Sequence, residues 1–203
     1  MVKKNYDALM QSELDTFKSK KTILLHSCCA PCSSSVITRL IDYFDITILY
    51  YNPNIEPIEE YLRRKEEQIR FLEEFDSNIK ILDVDYDNEQ FKKIAKNLEH
   101  EKEGGARCHK CYYLRLEKTK DLAIINNFDY FGTTLTVSPY KNSDYINEIG
   151  LHLESISDNK VKFLISDFKK KEGYKRSIEL SKEYNLYRQD YCGCLYGREN
   201  IGE

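Results

Sequence analysis

The cysteines of this sequence are grouped in a way that points to chemistry. The chain has seven, and they fall into three short groups: Cys28, Cys29 and Cys32; Cys108 and Cys111; Cys192 and Cys194. An odd number of cysteines does not suit a closed set of disulfides. Cysteines that only fill a core would be scattered, so the grouping predicts metal ligands or a thiol redox site.

The first two groups together supply four thiolates. Cys28 and Cys29 are adjacent, which departs from the usual C-x2–4-C spacing of zinc sites, but soft thiolates also suit iron–sulfur clusters. Cys108 and Cys111 form a C-x-x-C motif at the start of a predicted helix, where both sulfurs lie on one side. This motif comes too late in the chain for a thioredoxin-like site. Four thiolates are the number that a [4Fe–4S] cluster or a structural zinc requires.

The third group, Cys192-Gly193-Cys194, suggests redox chemistry. A disulfide across a single residue closes a small ring, and strained disulfides are the labile and catalytic ones. Metal ligands or inert thiols remain the alternatives for this pair. Cys32 is left over, and it would be either a ligand of a second metal or a free thiol near the site.

The elements that must position these thiols alternate between strand and helix. Strands are predicted over residues 22–27, 46–52, 79–86, 130–136 and 162–166, with helices between them. This alternation predicts an α/β fold with a Rossmann-like parallel sheet, helices on both faces and an irregular C-terminal tail. We expect a single α/β domain over residues 1–203, with an N-terminal helical extension at 1–20 and a tail carrying Cys-Gly-Cys at 186–203.

In such a sheet, ligands gather at the carboxyl ends of the strands. The segment HSCCAPCSSS (26–35) follows the first predicted strand, and TTLTVSPYKN (133–142) lies at the end of the fourth. A helix is predicted to begin near Ser33, with serines as its N-caps, and its positive end would favour thiolates at this corner. The loop contains no glycine, which makes a standard phosphate cradle less favourable.

Composition limits the choice of partners. The net charge of −3 over 203 residues argues against a basic protein that coats nucleic acid generically. Local basic patches are still present: Arg107, His109, Lys110 and Arg115; Lys169, Lys170, Lys171, Lys175 and Arg176. No run of 18 apolar residues exists, and the charged N-terminus lacks the apolar core of a signal peptide. We therefore expect a cytoplasmic protein without a membrane partner.

Five segments occur in an order that is typical of one family: HSCCAPCSSS, YYNPNIEPIEEYLRRKEEQIRFLEE, EGGARCHKCYYLRLEKT, FGTTLTVSPYKN and YRQDYCGCLYG. From residue 22 onward the chain resembles the cobalamin-independent epoxyqueuosine reductase family. The resemblance implies a two-electron deoxygenation of epoxyqueuosine in tRNA to queuosine. It also implies a [4Fe–4S] cluster.

The resemblance also implies roles for individual residues. The cluster ligands would be Cys28, Cys29, Cys108 and Cys111, and Cys192 with Cys194 would form the redox-active disulfide. Some family members hold an additional mononuclear iron beside the cluster. In some of them aspartate stands at the position of Cys32, so the ligands of a second iron stay open for this chain.

The implied reaction requires a proton donor, a substrate surface and a source of electrons. Candidate proton donors are His26, Tyr140, Asp190 and Tyr191. The substrate base lies in a tRNA anticodon loop, a single-stranded element whose bases can be splayed out. The electron donor is not identified by the sequence.

Two alternative functions use the same residues differently. A zinc-stabilised nucleic-acid-binding module without catalysis would bind one zinc and show no redox cycle. A tRNA thiolase of the ATP-pyrophosphatase type would need a loop similar to S-G-G-x-D-S after its first strand. This chain has C-C-A-P-C-S-S there, which disfavours the thiolase.

Overall fold

A computed structural model describes residues 4–198 of the chain, and it contains a parallel sheet with helices between the strands. The strands are β1 (Lys21–His26), β2 (Phe44–Leu49), β3 (Lys80–Leu82), β4 (Tyr130–Thr133) and β5 (Lys162–Phe163). The helices are α1 (Tyr6–Leu14), α2 (Ala30–Leu40), α3 (Ile58–Phe75), α4 (Asn88–Ala95), α5 (Ala106–Ile125), α6 (Ser143–Ser155), α7 (Gly173–Glu183) and α8 (Leu195–Arg198). A short 3-10 helix over Thr134–Val137 follows β4.

The strand order is β3-β2-β1-β4-β5, and every pairing in this sheet is parallel. This order confirms the predicted Rossmann-like α/β fold. The chain order reverses between β1 and β4, so this pair forms the switch point where such folds bind ligands. The carboxyl ends of these two strands are His26 and Thr133, which are paired in register.

Both faces of the sheet are buried. Ile23 and Leu25 of β1 pack on one face with apolar residues of α1, α2 and α3. Leu24 points to the other face, where it packs with residues of α5 and α6. A strand that is buried on both sides needs a continuous apolar run, and this explains why Thr22–Leu25 could be recognised from the sequence.

The structure refines several predicted boundaries. Helix α2 begins at Ala30 rather than near Ser33, because Cys29 is extended (φ −175°) and caps the helix while Pro31 occupies its first turn. The three serines are therefore buried inside the helix instead of capping it. The edge strand β3 covers 80–82 only, where 79–86 was predicted.

The two ends of the chain differ in how they join the core. Helix α1 contributes Met10 and Leu14 to the sheet packing, so the predicted N-terminal extension is part of the core. The tail is irregular up to α8, and residues 1–3 and 199–203 lie outside the described residues. Within residues 4–198, no helix combines the length and the apolar character needed to cross a membrane.

Candidate active site

All three cysteine groups meet at the switch point of the sheet. A cavity of about 460 Å³ lies there, and its lining includes six thiols: Cys28, Cys32, Cys108, Cys111, Cys192 and Cys194. We call this space the thiol cavity. The seventh cysteine, Cys29, is buried behind it with its Sγ 3.8 Å from the Sγ of Cys28. The volume falls within the usual range for sites that bind small molecules.

The first group forms a compact cluster of sulfurs at the N-terminus of α2. The Sγ atoms of Cys28, Cys29 and Cys32 all lie within 4.8 Å of one another, which is close enough to hold one metal ion. The turn that achieves this is held by buried hydrogen bonds. Ser27 and Ser33 both donate to Oε1 of Gln68, at 2.7 and 2.9 Å, and these bonds tie the loop to α3.

The thiols of this group share protons unequally. Hydrogen bonds from Cys29 and Cys32 lower the pKa of Cys28 well below its usual value. The same bond to Cys28 raises the pKa of Cys29 to about 12, and bonds to both neighbours raise that of Cys32. One thiolate supported by two thiol donors is therefore the favoured charge state of the cluster.

The second group lies on the first turns of α5. Cys108 accepts a hydrogen bond from the backbone N–H of Gly104 at 3.2 Å. Cys111 is buried, and burial raises its pKa to about 11. Arg107, in the first turn of α5, donates through Nη1 to the carbonyls of Leu98, Glu99 and Glu101 at 3.0, 2.8 and 2.6 Å. Arg107 thus fixes the loop that leads into the motif.

Of the cations that line the thiol cavity, Arg115 and Lys141 interact electrostatically with both Cys28 and Cys192. Arg115 is 3% exposed, and its only hydrogen bond among the described residues is from Nε to the carbonyl of Cys111 at 3.2 Å. Lys141 is partly buried on the lining of the same cavity. Within residues 4–198 neither cation has a carboxylate within 4.0 Å. Buried positive charge without a counter-ion is costly, so the cavity is fitted to negatively charged contents.

The pKa values of these cations reflect their surroundings. Burial lowers the pKa of Arg115, but Cys111 and Cys28 more than offset it, and the pKa is raised. The pKa of Lys141 is likewise lowered by burial and raised by Cys192, Tyr112 and Cys28, with a net increase. Both side chains remain charged beside the thiols.

The third group is held in place by Arg64 of α3. Its Nη1 donates to the carbonyl of Cys192 and its Nη2 to that of Tyr191, both at 3.3 Å. Its Nε is paired with Glu60 at 2.6 Å, and the side chain is 1% exposed. The backbone N–H of Glu56 donates to the carbonyl of Gly193 at 2.9 Å. Hydrogen bonds to the successive carbonyls of Tyr191, Cys192 and Gly193 therefore hold this segment in place.

The thiols of this segment are free in the structure. Cys194 is buried against Phe91, Ala95 and Cys111. Burial, followed by the neighbouring Cys192, raises the pKa of Cys194 to about 12. Cys192 is the more accessible of the two, so a partner in the cavity would meet it first.

Some contributors to the site were missed from the sequence. Arg64 pairs with Glu60 four residues before it, a common surface arrangement on helices, but here the pair is largely buried and the guanidinium reaches the third thiol group. Lys141 was not singled out either. The sequence signal for Arg64 was helical spacing: it lies three residues after Tyr61 and seven before Phe71, on the face that α3 buries.

The four candidate proton donors occupy different environments. His26 is fully buried and lies outside the cavity lining, with Nδ1 3.0 Å from Thr133 Oγ1 and Nε2 3.1 Å from the carbonyl of Tyr51. Burial lowers its pKa to about 3, so it is neutral and links β1 to its neighbours. Tyr140, Asp190 and Tyr191 line the cavity, and the hydroxyl of Tyr191 donates to the carbonyl of Glu56 at 2.9 Å.

The predicted basic patches are not free surfaces. Arg107 and Arg115 are buried, so they do not form an outer phosphate-binding face with His109 and Lys110. In the second patch, Lys169 binds Asp167 at 2.9 Å. Further ion pairs join Lys171 to Asp7, Lys175 to Glu172 and Arg176 to Glu179. Most of the charge of this patch is balanced within the chain.

The donor atoms of the cavity fit the metal groups that the sequence implied. Six thiols on one cavity, a seventh next to them and two cations without carboxylate partners in the described residues suit an anionic iron–sulfur cluster. Three sulfurs within 4.8 Å of one another also suit a single metal ion. The residues present therefore fit both groups.

Comparisons with known proteins agree with this site. Residues 23–200 match the family described as "Epoxyqueuosine reductase QueH". A protein of that name from Staphylococcus epidermidis is 43% identical over 98% of this chain and 86% of its own length. Relatives of the same name from Streptococcus pyogenes and Thermotoga maritima are 41% and 35% identical over 98% and 86% of this chain, and over 80% and 89% of their own lengths. This chain belongs to the epoxyqueuosine reductase QueH family.

Proposed function

We propose that this chain reduces epoxyqueuosine in tRNA to queuosine. The observation that carries the proposal is the meeting of three distant cysteine groups on one cavity at the switch point of the sheet. The names of the relatives point to the same reaction. We place the reaction in the cytoplasm, where thiols stay reduced unless they bind metal or turn over.

We assign Cys28, Cys29, Cys108 and Cys111 as ligands of a [4Fe–4S] cluster. Cys32, whose sulfur lies within 4.8 Å of Cys28 and Cys29, is the proposed ligand of an additional mononuclear iron. When bound, an iron–sulfur cluster supplies one-electron transfer. Arg115 and Lys141 would balance its negative charge from within the protein.

The chain's own thiols can supply the electrons for one turnover. Removing the epoxide oxygen breaks two C–O bonds, forms a C=C bond and releases water, which requires two electrons and two protons. The thiols of Cys192 and Cys194 supply both when they close to a disulfide. Asp190 lies on the same cavity and is the proposed proton carrier for the departing oxygen. An external electron donor then returns the disulfide to the dithiol.

The substrate is proposed to enter as a single nucleotide from the anticodon loop. Enzymes that act on a base take it out of the stack, and a loop nucleotide is extruded at low cost. The thiol cavity has the volume for a small-molecule-sized group, while the remaining tRNA would lie outside it.

Anaerobic metal analysis and a single-turnover assay test this proposal. We expect iron and sulfide, visible absorbance, and at most one queuosine per chain when the protein is pre-reduced and no donor is added. Two thiols should be lost for each queuosine formed. Cys28→Ala or Cys108→Ala should abolish the absorbance and the activity, whereas Cys192→Ser or Cys194→Ser should keep the absorbance and stop turnover.

Other outcomes would replace the proposal by one of its rivals. One zinc per chain with no colour and no turnover would support the nucleic-acid-binding module. Formation of thiolated tRNA that depends on ATP would support the thiolase. Full multiple turnover by Cys194→Ser would remove the disulfide step while leaving the metal assignment intact.

A further inference from the structure

We propose that Tyr140 is an RNA-stacking residue, which receives the base next to the reacting nucleotide at the opening of the thiol cavity. The inference rests on the proposed function, because it assumes that an anticodon loop is the substrate. It assigns to Tyr140 a binding role in place of the proton-donor role considered from the sequence.

The position of Tyr140 combines two properties. Its side chain is part of the cavity lining, yet the residue is 77% exposed. A residue that both lines the cavity and faces solvent must lie where the cavity opens. Of the large apolar or aromatic residues that the structure describes as exposed, Tyr140 has the highest exposed fraction. An unburied aromatic ring at this place offers a face that no protein group covers.

The backbone under Tyr140 is held firmly. Lys169 Nζ donates to the carbonyl of Thr136 at 3.1 Å and to that of Lys141 at 3.3 Å, so it bridges both ends of the loop. The backbone N–H of Tyr140 donates to Ser138 Oγ at 3.3 Å. A ring on a fixed backbone loses little conformational freedom when a base stacks on it.

Lys141, next to Tyr140 in the chain, indicates the direction in which a nucleotide would enter the cavity. Lys141 lines the cavity and interacts electrostatically with Cys192 and Cys28. A nucleotide that enters the cavity therefore passes from the exposed ring of Tyr140 toward the charge of Lys141. The base left behind in the loop loses its stacking neighbour, and an aromatic face at the opening replaces it.

Binding and kinetics with the iron-loaded protein test the role of Tyr140. The probe is a fluorescently labelled anticodon stem-loop RNA that carries epoxyqueuosine. We expect Tyr140→Ala to weaken binding roughly 5- to 150-fold, which is the range for one lost base–aromatic stack. The loss should appear in KM, while kcat stays close to wild type. Tyr140→Phe, which keeps the ring and removes the hydroxyl, should match wild type within about twofold.

Two controls make the test specific. Tyr145→Ala removes another exposed tyrosine, 42% exposed, that packs against His109 at 4.0 Å between ring centroids and lies outside the cavity lining. This variant should bind the RNA normally. In the RNA, an abasic site on one side of the reacting nucleotide should weaken binding to wild type, and Tyr140→Ala should add little to that loss, because both changes remove the same stack.

The inference and the proposed function fail in different ways. If wild type turns over and Tyr140→Ala binds the RNA normally, or if Tyr140→Phe loses kcat, the stacking role is wrong and the reductase assignment stands. If Tyr145→Ala weakens binding as much as Tyr140→Ala, the effect is not specific to the cavity opening and the inference is overturned. Absence of queuosine formation by wild type would instead refute the proposed function.

Discussion

Gly193 has a backbone conformation that other residues rarely adopt. Its φ is +104°, and a Cβ at this position would lie 2.7 Å from Ile55 Cγ1 and 3.3 Å from Arg64 Nη1. The residue lies between the two thiols of the third group and its carbonyl is held by Glu56. At the residue scale, glycine is therefore required both for the backbone angle and for the space beside Arg64.

We expect Gly193→Ala to be more harmful than a matched glycine variant. Gly104→Ala is the control, because Gly104 also has a positive φ of +89° but no atom within 4 Å of an added Cβ. Both variants pay for backbone strain, while only Gly193→Ala adds steric overlap, worth roughly 1–3 kcal/mol of unfolding free energy. Urea denaturation measures the difference, and equal losses would contradict the packing described around Gly193.

The sequence revealed residue types better than residue partners. The three cysteine groups were recognisable because their spacing is local, and the structure places them on one cavity. The partners of the third group were not recognisable. Arg64 lies 127 and 128 positions from the carbonyls that it binds, and no local pattern encodes such contacts.

At the scale of elements, one side of α3 holds the segment that leads to the third group. Glu67 accepts the backbone N–H of Tyr187 at 2.6 Å and pairs with Arg70 at 2.9 Å. Arg70 also donates to the carbonyl of Tyr184 at 3.0 Å, and the guanidinium of Arg63 lies 3.5 Å from the ring centre of Tyr187. Charged residues at helical spacing thus bind a segment that has no periodicity of its own.

The contact at Glu67 predicts a pH-dependent stability. Burial raises the pKa of Glu67, but the opposing effects of Arg70 and the N–H of Tyr187 are larger. The net result is a pKa below the usual 4.5. Its stabilisation is therefore complete above about pH 5 and is lost as the pH falls through the lowered folded-state pKa. We expect Glu67→Gln to reduce the unfolding free energy by roughly 1–2 kcal/mol at pH 7, with the gap narrowing as the pH falls through the lowered folded-state pKa.

Urea denaturation between pH 3.5 and pH 7 measures this gap. Glu74→Gln is the control, since Glu74 pairs with the same arginine at 2.7 Å but is 47% exposed, and its loss should change stability by less than about 0.5 kcal/mol. A gap that stays constant with pH would show that Glu67 acts through packing rather than through its charge.

The elements themselves were largely predictable, and the errors have physical causes. Strand β1 was found because burial on both faces imposes a continuous apolar run, and helix α3 because burial on one side imposes a periodic apolar pattern. The start of α2 was placed at Ser33 because serine is a strong N-cap, but Pro31 in the first turn moves the start back to Ala30. Edge strand β3 is short, and Asp87 beyond it caps α4.

At the scale of the whole molecule, the topology determines where charge accumulates. The switch point brings the β1 loop, the start of α5 and the tail together, and with them Arg115 and Lys141. In the absence of metal, Arg115 is a buried cation without a carboxylate partner in the described residues. The proposed iron–sulfur cluster would place negative charge beside Arg115, so its binding should stabilise the folded protein.

The two buried arginines Arg107 and Arg115 differ in how many hydrogen bonds hold them, which predicts unequal effects of their substitution. We expect Arg115→Met to change the thermal stability of the metal-free protein little, because Arg115 makes one hydrogen bond among the described residues, to the carbonyl of Cys111. The same variant should retain less iron after gel filtration, because the proposed cluster loses a nearby positive charge. Arg107→Met is the control: it loses three hydrogen bonds to carbonyls and should destabilise both forms by roughly 2–5 kcal/mol. A loss of stability in metal-free Arg115→Met as large as that in Arg107→Met would refute the electrostatic role.

The late position of the third cysteine group has a consequence for biosynthesis. A ribosome that has translated α7 has already produced every strand of the sheet, both cations and the first five cysteines. Cys192 and Cys194 are translated after them; in the folded chain the carbonyl of Cys192 binds Arg64 of α3, and Cys194 packs against Phe91 and Cys111. The thiols proposed to bind iron are therefore translated before the pair proposed to deliver electrons. A nascent chain can bind iron before Cys192 and Cys194 are made and exposed to oxidation.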